Sequence, residues 1–290
     1  MNDTRATFVG IGAQKCASTW LYGVLQQSPD VQVSEDKEVD FFSYYFDRGY
    51  EWYDRHFACD SPSIARGEIS PSYFIHPDAP ARAYAYNPKM TVFVTLRDPV
   101  ARCFSNHLHE VRKGHVSGKN TVFETALDNN PLYRDQGRYA HHLKRWYDVF
   151  PADQIHVLFQ EDIHIDRAAM ARQVTDVLGL RPLDDFLDLR ANESVRYKNA
   201  AVGETLWKFG NFARKNGMGR IVETAKAVPP IKQLRASNRQ SIRDVVAPMT
   251  ADTERYLTDY YARDVEKLER LIGRQTPWRR FAALADVTTA

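Results

Sequence analysis

Hydrophobic positions along the chain alternate between short apolar runs and longer segments that are apolar on one face only. Five runs predict buried strands, at residues 7–11, 31–33, 65–69, 90–96 and 155–159. Six segments with helical spacing predict helices, at residues 18–27, 98–112, 121–127, 137–150, 166–178 and 251–272. Strands that alternate with helices run parallel and are joined by crossovers. The pattern therefore predicts an α/β fold, a three-layer sandwich in which helices flank a central parallel sheet.

The overall composition is that of a globular chain with nearly balanced charge. Its 290 residues suffice for a large core, and we expect a single domain over residues 1–290. The net charge of +2 argues against nucleic acid as a partner. No run approaches the ~20 apolar residues that a membrane span requires. Since the first strand begins by Thr7, we expect no signal peptide and a cytoplasmic protein.

The cysteines predict a reduced protein without a metal site. Cys16, Cys59 and Cys103 lack the spacing of metal ligands. An odd and sparse set of cysteines is typical of free thiols in a cytoplasm. We therefore expect no bound metal.

Residues 196–243 differ in composition from the rest of the chain. They hold eleven Lys or Arg and two acidic residues, Glu204 and Glu223, with apolar residues interleaved. This pattern is typical of a solvated helical face over a core. The alternative is a lid, or a docking surface for an anionic substrate or a membrane face.

The segment from Phe8 to Leu21 carries the first candidate chemistry. It reads FVGIGAQKCASTWL: an apolar strand, a tight turn, a lysine, and hydroxyl residues that open a helix. Backbone N–H groups at such a turn point at a ligand, and the helix dipole and Lys15 both favour negative charge. The segment therefore predicts a site for a phosphate or a sulfate ester of a nucleotide.

This segment differs from the loop that binds nucleoside triphosphates. That loop reads G-x-x-x-x-G-K-[ST], whereas Gln14 stands here before the lysine and Cys16 after it. The anion cradle is thus present, but the hydroxyl that binds magnesium is missing. We expect metal-free transfer from an adenosine phosphosulfate rather than a kinase or ATPase reaction.

A second anion site is predicted where the strongest strand ends. The residues LRDPVARCFS place Arg97 at the carboxyl end of that strand, where open α/β sheets bind ligands. Ser105 lies about two helical turns further on, in the helix that Pro99 starts. A guanidinium and a hydroxyl together bind a phosphate well. Two such sites on one sheet predict a ligand with two separated anionic groups.

The two motifs resemble those of sulfotransferases that use 3′-phosphoadenosine 5′-phosphosulfate (PAPS), in particular the bacterial branch related to heparan sulfate sulfotransferases. GAQKCAST is similar to the GxxKxGT-like loop that holds the 5′-phosphosulfate, and LRDPVARCFS to the LRDPxxRxxS-like strand and helix that hold the 3′-phosphate. The resemblance implies a P-loop-like fold. It also implies donor contacts from Lys15, Cys16, Ala17, Ser18, Thr19, Trp20, Arg97 and Ser105.

Further segments extend the resemblance to most of the chain. KEVDFF, which begins at Lys37, is similar to the family's KEPHFF segment. The glutamate of that segment is the catalytic base, which implies this role for Glu38. Lys15 would stabilise the charge on the leaving phosphate. Arg196 and Lys198 fall where the family's later segment closes over the 3′-phosphate or adenine, which implies further donor contacts.

The resemblance places Asp40, Tyr73 and Tyr139 on the acceptor side. Asp40 stands where glycan-modifying relatives carry histidine, and Ile69 stands where they carry lysine. These differences argue against a heparan-type acceptor and leave the donor site unaffected. A hydroxyl of a glycan, a glycolipid or another natural product would fit.

Two other functions stay open at this point. A nucleotide or small-molecule kinase would need a magnesium ligand near Lys15. A non-catalytic module that binds nucleotides or sulfated glycans would need no base, yet Lys15, Glu38, Arg97 and Ser105 occur together in this chain.

Overall fold

The computed structural model describes residues 5–57, 64–183, 195–197 and 239–285. The chain divides into two compact units. The first comprises Met1–Asn106, Asn130–Ala191 and Thr250–Ala290, and the second comprises His107–Asn129 and Asn192–Met249. The single domain expected from chain length stays a prediction.

A parallel sheet of five strands forms the centre of the first unit. The strands are β1 (Phe8–Gly12), β2 (Val31–Val33), β3 (Ala65–Ile69), β4 (Thr91–Leu96) and β5 (Ile155–Phe159). Their order is β2-β3-β1-β4-β5, and each neighbouring pair is parallel. Every predicted apolar run is a strand of this sheet, so the α/β architecture with a central parallel sheet is confirmed.

Helices lie between the strands of the sheet and after them. They are α1 (Ser18–Gln27), α2 (Tyr50–Asp54), α3 (Ala79–Tyr86), α4 (Pro99–Lys113), α5 (Phe123–Asn129), α6 (Leu132–Asp135), α7 (Tyr139–Tyr147), α8 (Gln160–Ile165), α9 (Arg167–Val177), α10 (Ala251–Ile272) and α11 (Arg279–Ala285). The helix predicted over 137–150 is shorter, and α3 was not predicted. None of the described helices combines the length and apolar character needed to cross a membrane.

The core of the first unit lies on the faces of the sheet. On one face α1 and α9 pack against strand residues, and this cluster includes Phe8, Leu21, Leu25, Phe93 and Val174. A group of aromatic rings packs elsewhere in the unit: Phe41 stacks on Tyr53 with ring centroids 4.6 Å apart, and Phe42 contacts Tyr73 and Tyr86. Aromatic pairs of this kind stabilise a fold beyond their buried area. They anchor the segment that follows the predicted base.

The second unit contains a two-stranded antiparallel ribbon of β6 (Val195–Tyr197) and β7 (Arg239–Ser241). In the same unit His107 Nε2 lies 3.0 Å from Thr121 O. Of the basic segment 196–243, only the ends are described, so its interpretation as a lid, a docking surface or a plain helical face stays a prediction. Cys59 also lies outside the described residues.

Candidate active site

Strands β1 and β4 are adjacent and parallel, so the segments that follow them leave the same edge of the sheet. Gly12 is in register with Val94, and the Ala13 N–H donates to Thr95 O at 2.8 Å. The turn requires glycine, because Gly12 has a φ of 125° and a Cβ there would lie 3.0 Å from Pro71 O. The lysine motif and the arginine motif therefore begin side by side.

Residues 13–17 form the predicted anion cradle. Lys15 and Ala17 both adopt left-handed backbone conformations, with φ of 69° and 72°. Helix α1 begins directly afterwards at Ser18, and in the described part of the chain no side chain caps its first turn. Uncapped N–H groups and the positive end of the helix dipole are thus available at the cradle. Protein backbones bind phosphate and sulfate groups with this geometry.

A single tyrosine hydroxyl connects the two motifs. Tyr139 OH donates to Arg97 O at 2.9 Å and lies 3.5 Å from Cys16 Sγ. Tyr139 and Cys16 are both fully buried. We predicted an acceptor contact for Tyr139; it is fully buried, and its hydroxyl group instead joins the Lys15 loop to the backbone of Arg97.

Asp98 fixes the start of α4 immediately after Arg97. Its Oδ1 accepts the Ala101 N–H at 2.9 Å as a helix N-cap, and Pro99 occupies the first helical position. Arg280 Nε donates to Asp98 Oδ2 at 2.5 Å. The capped helix and the strand end together hold the Arg97 backbone in place.

Arg97 and Ser105, the predicted contacts for a second phosphate, are both partly exposed. Arg97 follows the last residue of β4 and Ser105 lies within α4. Arg97 also lies close enough to Cys16 to act on its thiol electrostatically. The sheet edge thus brings a guanidinium and the lysine cradle together, as two anionic groups on one ligand would require.

Lys37 joins the predicted base to the cradle. Its Nζ donates to Thr19 Oγ1 at 3.0 Å and to Glu38 Oε1 at 3.0 Å. Thr19 lies in the first turn of α1, so the Glu38 carboxylate is connected to the cradle through one lysine. The Glu38 side chain is 47% exposed, which leaves the carboxylate accessible to an acceptor.

The backbone that carries Glu38 is strained. Glu38 and Asp40 have φ of 68° and 55°, a left-handed conformation that costs an L-residue roughly 1–2 kcal/mol. Strain of this kind persists only where the surrounding structure fixes it, and it is typical of functional sites. Asp40 Oδ1 accepts from Ser72 Oγ at 2.5 Å. Burial raises the pKa of the Asp40 carboxyl group, and this hydrogen bond only partly offsets the rise.

A buried carboxyl group that the sequence analysis missed lies next to this turn. Glu68 in β3 is fully buried and accepts from Ser70 Oγ at 2.6 Å and from Tyr73 OH at 2.5 Å. Burial raises the pKa of Glu68 to about 7, although these hydrogen bonds oppose the shift. The available signal was an acidic residue inside an otherwise buried strand, followed closely by serine and tyrosine.

Four further predicted contacts are either buried in the core or not tested by the structure. Tyr73, predicted on the acceptor side, is fully buried and donates to Glu68. Trp20, predicted as a donor contact, is buried in the core, and its backbone N–H donates to Ala17 O at 2.9 Å. Arg196 belongs to β6, and Lys198 lies outside the described residues, so their donor contacts stay predictions.

The environment of Cys16 predicts an unreactive thiol. Burial raises the pKa of this thiol from 9.0 to about 11, so at pH 8 the thiolate fraction falls by roughly two orders of magnitude. We expect iodoacetamide to alkylate native Cys16 about 100-fold more slowly than an ordinary cysteine. Peptide mapping after timed alkylation, with urea-unfolded protein as the control, would measure this. Rapid labelling of the native protein would contradict the assigned burial.

A match to one known protein family over most of the chain decides its identity. The family described as "Sulfotransferase domain" matches residues 7–220, which include all five strands of the sheet and both anion motifs. This chain belongs to the sulfotransferase domain family. The resemblance expected from the two motifs is therefore confirmed at the level of the family.

Several animal sulfotransferases are similar to this chain. The bifunctional heparan sulfate N-deacetylase/N-sulfotransferase of Drosophila melanogaster is 28% identical over 216 residues, which cover 63% of this chain and 20% of that protein. Heparan sulfate glucosamine 3-O-sulfotransferase 3B1 of Mus musculus is 30% identical over 181 residues, which cover 59% of this chain and 45% of that protein. The chain thus spans less than half the length of these relatives.

One solved structure shows the same fold. The crystal structure of a sulfotransferase from Alicyclobacillus acidocaldarius superimposes with a TM-score of 0.67 and covers 94% of this chain and 97% of that chain. The two sequences are 24% identical, so the comparison supports the fold of this sulfotransferase and not its acceptor.

Proposed function

We propose that this sulfotransferase moves the sulfuryl group of PAPS to an acceptor hydroxyl, with Glu38 as the base. The observation that carries the proposal is the convergence of three segments at one sheet edge. Tyr139 connects the Lys15 loop with Arg97, and Lys37 connects the first turn of α1, which follows that loop, with Glu38. A donor with two anionic groups and an acceptor approaching the base can therefore occupy one place.

The chemistry of the cradle suits the 5′-phosphosulfate end of the donor. Lys15 supplies a full positive charge, and the backbone N–H groups of Cys16 to Thr19 supply oriented dipoles. Arg97 offers a planar guanidinium, which binds phosphate in a bidentate manner, and Ser105 offers a hydroxyl for the 3′-phosphate. The side chains of Cys16 and Trp20 are buried, so these two residues would contribute through the backbone or through packing.

A transfer at this site needs one proton acceptor and one set of groups that stabilise the leaving charge. Glu38 accepts the proton of the acceptor hydroxyl, whose oxygen forms a bond to sulfur. On the opposite side the bond between sulfur and the 5′-phosphate oxygen breaks, and the electron pair stays on that oxygen. Lys15 and the α1 N–H groups stabilise the resulting phosphate charge. The loose, in-line geometry is argued by analogy with phosphoryl transfer.

Two positions on the acceptor side lack the basic residues that the heparan-modifying relatives carry there. Asp40 lies two residues after Glu38 in the same strained turn, and Ile69, at the position of the relatives' lysine, is buried. Carboxylates repel a polyanionic chain, which supports a neutral or cationic acceptor over a heparan-type one. A hydroxyl on a neutral glycan, a glycolipid or a natural product satisfies this requirement.

A magnesium-dependent kinase is the weaker alternative. The position of its metal-binding hydroxyl is taken by Cys16, whose buried thiol has a pKa raised to about 11 and therefore stays protonated. A protonated thiol is a poor ligand for magnesium, which prefers oxygen.

Thermal stabilisation by spent donor separates these functions. We expect adenosine 3′,5′-bisphosphate at 100 times its Kd to stabilise the protein by about 2.7 kcal/mol, seen as a rise in Tm of several degrees. ADP with magnesium at the same concentration should have no comparable effect. A shift with ADP and magnesium alone would instead favour the kinase.

Transfer of labelled sulfate tests the reaction itself. PAPS labelled with radioactive sulfur would be incubated with a neutral glycan, heparan sulfate, a glycolipid and a phenolic natural product. We expect label on a neutral acceptor and none on heparan sulfate. Stabilisation by adenosine 3′,5′-bisphosphate without transfer to any acceptor would favour a non-catalytic binding module.

A further inference from the structure

The buried Glu68 carboxyl group accepts from Ser70 and Tyr73, and the Ser70 connection leads to the turn that carries Glu38. The Val39 peptide group lies close enough to Glu68 to lower the pKa of its carboxyl group. The Asp40 N–H donates to Ser70 Oγ at 2.8 Å, and Ser70 Oγ donates to Glu68 Oε2 at 2.6 Å. The peptide N–H of Asp40 is therefore joined to the Glu68 carboxylate through the Ser70 hydroxyl.

The remaining donor, Tyr73 OH, holds the carboxyl group from its other side. It donates to Glu68 Oε1 at 2.5 Å, and Tyr73 is itself fixed by ring contacts in the core. A buried carboxyl group costs free energy unless it is hydrogen-bonded, so a network that satisfies both oxygens also determines where the carboxyl group lies. Glu68 is thus a fixed point on the central sheet.

The turn needs such a fixed point because the Glu38 side chain itself holds it weakly. Glu38 contacts Lys37, and these side chains are 47% and 29% exposed. Ion pairs this exposed contribute about 0–1 kcal/mol. The left-handed backbone at Glu38 and Asp40 costs more than that, so the hydrogen bonds at Asp40, to Ser70 from its N–H and from Ser72 to its carboxylate, must maintain it.

We infer that Glu68 is a positioning residue for Glu38: through Ser70 and the Asp40 N–H it holds the turn that aims the catalytic carboxylate at the acceptor. This inference rests on the proposed role of Glu38. Glu68 acts through the backbone and touches neither donor nor acceptor.

Paired substitutions test this role without removing the buried carboxyl group, since its removal would disturb folding. Ser70→Ala breaks the connection from Asp40, and Tyr73→Phe removes the far donor. Each has a matched control in the same unit. Ser28 is a buried serine whose Oγ accepts the Asp30 N–H at 3.3 Å, and Tyr86 OH donates to Asp54 Oδ1 at 2.5 Å.

The expected result is a loss of rate without a loss of donor binding. Ser70→Ala and Tyr73→Phe should lower kcat about 10- to 100-fold, with the Kd for adenosine 3′,5′-bisphosphate unchanged within about twofold. Ser28→Ala and Tyr86→Phe should lower Tm by a similar amount and leave kcat within about twofold of wild type. Hydrogen–deuterium exchange should rise at the Asp40 N–H in the first pair only.

Combination with Glu38→Gln separates this inference from the proposed function. If Ser70→Ala acts through Glu38, it should cause no further loss of kcat in the Glu38→Gln background. Losses that multiply, or Ser70→Ala and Tyr73→Phe variants with wild-type kcat and exchange, would overturn the positioning role. A Glu38→Gln variant with wild-type kcat would reject the base assignment itself, which is a different result.

Discussion

Replacing Glu38 with glutamine should lower kcat by about 10²- to 10⁴-fold, the usual contribution of a positioned general base. Glutamine has nearly the same shape and keeps an oxygen for Lys37, but it cannot accept the acceptor's proton. Because Glu38 does not hold the donor, the Kd for adenosine 3′,5′-bisphosphate should change by less than about twofold. Steady-state kinetics with labelled PAPS and calorimetric binding of the spent donor would measure the two effects.

Glu35 provides the matched control for this substitution. It is an exposed glutamate in the same segment, three positions before Glu38. Glu35→Gln makes the same change of charge and should leave kcat near the wild-type value. Equal losses of rate in the two variants would assign the effect to general electrostatics rather than to proton transfer. Loss of donor binding in Glu38→Gln would contradict the separation of donor and acceptor roles.

Replacing Lys15 with alanine should damage both donor binding and rate. Loss of one group that stabilises developing charge costs about 2.7–4 kcal/mol in the barrier, or about 10²- to 10³-fold in kcat. The Kd for adenosine 3′,5′-bisphosphate should also rise, because the lysine neutralises the 5′-phosphate in the ground state as well. Parallel measurements of kcat and Kd would separate these two contributions.

Lys89→Ala controls for the loss of one positive charge. Lys89 is exposed and belongs to neither of the two anion motifs, so its replacement by alanine should leave kcat and Kd close to wild type. Lys15→Arg should recover part of the binding, because it keeps the charge with a different shape. Wild-type donor binding in Lys15→Ala would exclude the cradle as the site of the 5′-phosphate.

Local features of this protein were predictable from sequence because they depend on neighbouring residues. The five apolar runs became the five strands of the sheet, and helix α4 begins at Pro99 as the Asp-Pro pair indicates. The family followed from two short motifs for the same reason. Each motif is a strand end, a turn and a helix start, all within about twelve consecutive residues.

Burial of single aromatic residues was not predictable in this way. The family resemblance led us to predict Tyr73 and Tyr139 on the acceptor side of the site. In the fold both hydroxyl groups point inward, to Glu68 and to the Arg97 carbonyl. A tyrosine has an apolar ring and a polar tip, so its sequence context does not reveal which neighbour satisfies the hydroxyl.

Sequence alone determined the parallel α/β fold, the family and the two anion motifs, because periodicity and turn chemistry are encoded locally. Tertiary structure alone decided that β1 and β4 lie side by side and that Lys37 connects Thr19 with Glu38. It also decided that Ser70 joins the buried Glu68 to the backbone of Asp40. These arrangements depend on the order in which distant strands pair. Strand order is set by the packing of the whole sheet, which no local pattern records.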